Sequence, residues 1–261
     1  MKKISTFYRK DPTDLGRVID EIDPQNLWVV FEDHTATQKH DGTASAVMDG
    51  KLYKRYDVKL KKSTQLKKLG YYTDVLEIGQ EVVKISGKKF SDNDKVATII
   101  AFDKHPHTNE KAAIINSGDT IDLRQLRPIG IKFDDKYYKD IPKGAIACQE
   151  PDNISGHWPH WIECDRNNPS DKFHFEAFDK SVFEDGTYEL CGEKVQGNPE
   201  NITGHELIKH GSVVLDIKDY TFEGIKKYLE TADIEGIVFH NKEDDRMCKI
   251  RKSDFGIKRE K

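Results

Sequence analysis

Cysteine is scarce in this chain and never clustered. Cys148, Cys164, Cys191 and Cys248 are scattered through 261 residues with no Cys-x-x-Cys pair. That argues against a disulfide framework and reads as reduced thiols in a cytoplasmic protein. Long apolar runs are missing too: none approaches the roughly 20 residues needed to cross a bilayer, so no membrane partner is expected. The opening "MKKISTFYRKDPTD" lacks the apolar centre of a secretory signal. A large net charge is also absent, since 46 acidic residues against 42 basic ones leave only −4. With 34% charged and 36% apolar residues, the composition is that of a polar globular protein. It is long enough to bury a core in one large domain or two smaller ones.

The small net charge conceals an uneven distribution. Residues 51–68, "KLYKRYDVKLKKSTQLKK", carry eight basic side chains against one acidic one, and the tail "KIRKSDFGIKREK" (249–261) is basic as well. Either run alone reads as a solvated face. Folded onto one surface, the two would make a phosphate-attracting groove.

Strand patterns outnumber helical ones. "NLWVVFE", "ASAVM", "KLYKRYDVK", "GTYELCGEKV", "SVVLDI" and "EGIVFHN" are short, rich in β-branched or aromatic residues, and bounded by turn formers. The clearest helix is "TFEGIKKYLETAD" (221–233). Phe222, Ile225 and Leu229 recur there at intervals of three and four, behind Thr221 as N-cap. The expected fold class is α+β, built on antiparallel sheet. Within residues 75–130, short alternating strands are separated by "SGKKF", "SDND", "HPHTNE" and "SGD". That cadence predicts a small closed, SH3-like β-barrel inserted in a surface loop. The host domain would then comprise residues 1–70 and 135–261.

One short stretch raises a chemical question. "TATQKHDGT" (35–43) places Lys39 two residues before Asp41 and three before Gly42. Alone, this is equally an exposed lysine at a strand end followed by a turn. Downstream come "GTYELCGEKVQGNPE" (186–200), with Glu189 inside an apolar strand, then "EGIVF" (235–239) and "MCKIRKSDFGI" (247–257). The order is thus Lys-x-Asp-Gly, strand Glu, Glu-Gly-apolar-apolar, and apolar-Lys-apolar-basic.

That order resembles the covalent nucleotidyltransferase superfamily of ATP-dependent nucleic-acid ligases and capping enzymes, with "KHDG", "YELCG", "EGIVF" and "CKIR" as motifs I, III, IV and V. It is most similar to the small RNA ligases related to the vertebrate 5′-to-3′ RNA ligase, which "GHWPHW" (156–161), "ELCGEKVQGNPE" (189–200) and "HELIKHG" (205–211) also resemble. The resemblance covers residues 25–60 and 140–257, and no motif falls in 75–130. It implies an ATP-grasp-like ligase adenylation domain, ATP and Mg²⁺ (or Mn²⁺) as cofactors, and RNA with 5′-phosphate and 3′-hydroxyl ends as partner. Only four residues follow Ile257, which leaves no room for the OB domain of DNA ligases and capping enzymes; RNA recognition is then expected from the catalytic domain, its basic run or the inserted barrel.

By the same resemblance, Lys39 attacks the α-phosphate of ATP to give lysyl-AMP. An ordinary lysine, with a pKa of about 10.4, is protonated at neutral pH and must be discharged by nearby positive charge or desolvation. Mg²⁺ and Lys249 would supply that charge and neutralise the phosphates. Asp41 holds the turn and Gly42 permits close backbone approach. Gln38 reads the adenine edge through its amide or its backbone carbonyl. Glu189 suits the ribose hydroxyls, with Glu193 as the competing assignment. Arg55 fits ribose or phosphate, and Arg251 the phosphates. Ile237 or Val238 packs on the base, and Glu235 is the metal carboxylate. In "GHWPHWIEC", His157, His160 and Cys164 form no tight zinc pattern, so structural or RNA-contacting roles are expected.

Overall fold

Alternation of apolar and polar residues resolves into paired strands over most of the chain. The structure is a computed structural model that describes residues 2–11, 14, 16–61, 76–86, 89–90, 96–128, 138–151 and 157–259. The far part of the basic run (62–68), the turns at 87–88 and 91–94, Gly156, the last two residues of the basic tail and both expected domain junctions lie outside the described residues. The chain opens with β1 (Ser5–Thr6), β2 (Tyr8–Lys10), β3 (Val18–Ile22), α1 (Trp28–Phe31), β4 (His34–Lys39), β5 (Thr43–Met48) and β6 (Lys51–Val58). There follow β7 (Glu81–Ser86), β8 (Lys89–Phe90), β9 (Val96–Lys104), β10 (Lys111–Ile115), β11 (Thr120–Asp122) and β12 (Leu126–Pro128). The remainder supplies β13 (Ile146–Ala147), β14 (Trp158–Glu163), α2 (Lys172–Phe178), β15 (Gly186–Gly192), β16 (His205–Lys209), α3 (Phe222–Thr231), β17 (Gly236–Asn241), β18 (Met247–Arg251) and α4 (Lys252–Phe255).

These elements make a mostly-β α+β fold with several antiparallel sheets. A four-stranded sheet runs β1-β18-β17-β4, antiparallel except where β1 lies beside β18. Its inner face, with Ala36, Ile237, Phe239, Cys248 and Ile250, packs on α3 and α1. Ile225 and Leu229 of α3 are fully buried there, each contributing about 1.5–3 kcal/mol of hydrophobic stabilisation. Thr221 caps this helix, its hydroxyl accepting from the Gly224 amide at 3.1 Å. A six-stranded antiparallel sheet, β13-β14-β6-β5-β15-β16, packs Val47, Leu52, Tyr188, Leu190 and Leu207 against α2.

The third sheet, β11-β10-β9-β7-β12 with β8 on β7, has its own apolar cluster around Val82, Ile99, Ala113 and Leu126. The sequence cadence predicts a closed barrel. Among the described residues the strand path runs from β11 to β12 without a pairing between those two strands.

Two expected strands take other forms. "LWVVFE" is the helix α1, reached through a 3-10 turn at Pro24–Asn26 that Asp23 caps by accepting from the Gln25 amide. Trp28 and Val29 are buried while Phe31 is 78% exposed: two in and two out suits a helix, and an unbroken apolar run cannot tell the two apart. "SVVLDI" makes a single bridge, Thr37 to Val214. It runs along β4, accepting from the Gln38 amide at Val213 and donating from Leu215 to Ala36, so it covers a sheet edge that would otherwise be open.

Candidate functional site

Register places the motif residues. β17 lies between β4 and β18, pairing Gly236 with Lys39 and Arg251, and Val238 with Thr37 and Lys249. Side chains alternate across a strand, so Lys39, Thr37, Val238, Lys249 and Arg251 share the outer face while Ile237 and Ile250 point into the core. Gly236 is required between Lys39 and Arg251: a Cβ there would sit 2.3 Å from the Ile250 carbonyl oxygen. The opposing wall is the face of the six-stranded sheet turned away from α2. On β15 the same alternation sends Tyr188 and Leu190 to α2 and leaves Thr187 and Glu189 opposite; on β6 it leaves Arg55.

Between these walls is a cavity of about 630 Å³, within the range of small-ligand sites. Its cationic lining residues are Lys2, Lys3, Lys39, Arg55 and Lys249, against the acidic Glu189 and Asp245. That balance concentrates positive potential in a concave, partly desolvated space, which attracts a polyanion.

Lys39 donates to the carboxylate of Glu235 and, at 3.3 Å, to the His40 carbonyl. Burial holds the Glu235 carboxyl above its ordinary value, Lys39 opposes this, and the charge of Asp41 adds to it. Lys249 is pushed down to about 8, first by burial and then by Arg251 and Lys39, against the pull of Glu235 and Asp254. Glu189 is 8% exposed and fixed by His210, whose Nε2 lies 2.8 Å from its Oε2 while Nδ1 lies 3.0 Å from the Thr187 hydroxyl. His240, its pKa lowered by burial and by His210, contacts the Thr37 hydroxyl at 2.9 Å.

A second constellation braces the turn that follows Lys39. Glu200 accepts from the Asp41 amide at 3.0 Å and from Arg259 at 2.8 Å, with Gln38 at 3.4 Å and His40 at 3.5 Å. Although burial opposes ionisation, the bonds from His40, Arg259 and the Asp41 amide hold its carboxyl down at about 2. Gly42 lets β15 close on this turn, since a Cβ would fall 2.2 Å from the Leu190 carbonyl and 2.8 Å from Cys191 Sγ.

Of the residues the sequence singles out, Lys39, Gln38, Arg55, Glu189, Val238 and Lys249 line the cavity, and Glu235 joins it through Lys39. Others lie elsewhere. Ile237 is fully buried in the core, so of the two base-packing candidates only Val238 faces the cavity. Arg251 is bonded at 3.0 Å to the buried Asp254 and is not part of the lining. Glu193 is exposed beyond the end of β15, which leaves Glu189 as the carboxylate in place. Gly42 serves strand packing, and Asp41 reaches Glu200 through its backbone. The side chain of Gln38 is taken by His40 and Glu200. Trp161 is core on the second sheet, and His160 is buried with Nδ1 at 2.9 Å from the Trp158 carbonyl. Glu200, Arg259, His210 and His240 carry no role in the sequence reading. Glu200 and His210 sit inside stretches that the resemblance marks, the one signal that could have found them.

Comparison of the chain with protein-family models and with curated proteins returns no match. The site is therefore read from its residues.

Proposed function

We propose that this chain is an ATP-dependent RNA ligase that joins 5′-phosphate and 3′-hydroxyl ends through a lysyl-AMP intermediate, on an adenylation domain carrying an inserted small β-barrel. The observation that carries this reading is the placement of Lys39 at the end of β4, paired with the half-buried carboxylate of Glu235, in a cavity whose lining also holds Lys249 and Arg55.

The chemistry follows from these groups. Lys39 Nζ attacks the α-phosphorus of ATP, the bond to the bridging oxygen breaks, and pyrophosphate leaves with the electron pair. Glu235, already accepting from Nζ and held above the ordinary carboxylate pKa by burial, takes the amine proton. Lys249 offsets charge on the phosphate oxygens in the desolvated cavity. An RNA 5′-phosphate oxygen then attacks the lysyl-AMP phosphorus, and Nζ leaves with its proton restored. Finally the 3′-hydroxyl attacks the activated 5′-phosphorus and gives its proton to solvent, while the bridging P–O bond breaks and AMP leaves with the electron pair. Glu189, oriented by His210, suits the ribose hydroxyls. Asp41, and Glu235 whenever it is ionised, would offer the hard oxygen donors that Mg²⁺ or Mn²⁺ takes together with substrate phosphates, and the ion would neutralise those phosphates.

Incubation with α-labelled ATP tests the reading. The wild type acquires label and passes it to 5′-phosphorylated RNA, whereas Lys39→Ala does neither. A labelled alanine variant overturns the assignment, and transfer only to nicked DNA redirects the substrate class. Deletion of 75–130 is expected to weaken RNA binding more than adenylylation.

A further inference from the structure

A second buried cluster lies on the far face of the six-stranded sheet, away from the cavity. Cys164, just past the end of β14, meets Asp171 and His174 at the start of α2, and one ligand atom from each falls within 4.8 Å of the other two. All three are buried, Asp171 at 1% and His174 at 7% exposure. Asp171 is well used: it accepts from Lys54 and Ser170 through Oδ1 and from the Asp165 amide through Oδ2. His174 is not. Among the described residues neither of its ring nitrogens has a hydrogen-bond partner, though both are buried. A neutral imidazole carries one donor and one acceptor, and a fold seldom leaves both unmade.

We propose that Cys164, Asp171 and His174 form a Zn²⁺ site, with three protein donors and one open corner, that ties the end of β14 to α2. Sulfur, imidazole nitrogen and carboxylate oxygen are the three donor types zinc takes, at about 2.0–2.3 Å, with water at a fourth corner. Drawing three atoms from within 4.8 Å onto one ion needs only small side-chain movement, and the ion occupies a nitrogen of His174 that has no other partner among the described residues. Placement supports this: Asp171 is the N-cap of α2 and His174 lies in its first turn, and the backbone amide of Cys164 is anchored to the Leu52 carbonyl at 2.8 Å. Cys164 surrenders its thiol proton as the metal binds. Lys54 competes with the cation for Asp171, so removing its ammonium strengthens metal binding. The cysteine of "GHWPHWIEC" thus belongs with residues downstream of it, and its two histidines do not take part.

The test uses the full chain stripped with chelator and titrated with Co²⁺ as a spectroscopic probe. A single equivalent produces a thiolate-to-cobalt charge-transfer band, Zn²⁺ displaces it, and zinc at roughly a hundredfold excess over its Kd raises the thermal midpoint by about 5 °C or more. Cys164→Ala removes the band, and Lys54→Met tightens binding at least about tenfold. Absence of the band in the wild type, which needs no variant to fold, overturns the proposal. So does a band that survives in Cys164→Ala, or Lys54→Met binding no more tightly.

Discussion

Replacing Lys249 with methionine sets stability against function. Burial, Arg251 and Lys39 depress this ammonium from 10.5 to about 8, so the folded chain disfavours its charge. At about 1.4 kcal/mol per pH unit, that displacement converts to about 3 kcal/mol. The sign follows from linkage. Below about pH 8 the group is charged in folded and unfolded chains alike, and the fold bears the whole penalty. Above about 10.5 it is neutral in both and the penalty is gone. Lys249→Met, of similar length and without charge, is therefore expected to be more stable than wild type by about 3 kcal/mol near pH 7 and by only about 1.5 kcal/mol near pH 9.5. Urea unfolding at the two pH values measures this. On the proposed function the same variant should also lose adenylylation, because it removes a cation from the cavity lining. Equal or lower stability near pH 7, or an advantage that does not shrink with pH, would refute the reasoning.

Glu200→Ala strips the Asp41 amide, His40 and Arg259 of their common acceptor; it is expected to cost about 3 kcal/mol and to slow lysyl-AMP formation, checked by unfolding and by label uptake. In the wild type the Glu200 contribution is complete above its ordinary value of 4.5 and is lost as pH falls towards about 2, so the wild-type advantage over the variant in unfolding free energy should shrink over that interval. Gly42→Ala drives a methyl into the Leu190 carbonyl and Cys191 and should cost about 2 kcal/mol, seen as a lower thermal midpoint. Ile237→Ala should cost about 3 kcal/mol of stability, while Val238→Ala costs less than about 1 kcal/mol and weakens ATP binding in calorimetry; the reverse pattern would mean that the two faces of β17 are exchanged.

Legibility in the sequence followed the strength of local pattern. α3 could be read whole, because its cap, its spacing and its apolar stripe agree. β5, β6, β15 and β17 were readable from β-branched runs between turn formers. α1 was not: a continuous apolar run has no period, although Asp23-Pro24 is a helix-start signal that could have corrected the expectation. "SVVLDI" has strand composition, but the chain uses it to cover an edge. For the site, Lys39, Glu189, Glu235 and Lys249 stood out because four short motifs follow in order. Ile237 and Val238 could not be separated until register showed which of them turns outward. Glu200 and Arg259 come from loop and tail, 59 positions apart, and nothing local announces that they meet under Asp41. His210 lies in a stretch that the resemblance marks, but its contact with Glu189 exists only once β15 and β16 are paired.

The most direct measurement is intact-mass spectrometry of the purified chain after exposure to ATP and Mg²⁺, with peptide mapping of the product. A gain of one adenylate, localised to Lys39 and absent from Lys39→Ala, is the predicted result. An unmodified chain, or adenylate found on any other side chain, would contradict the account.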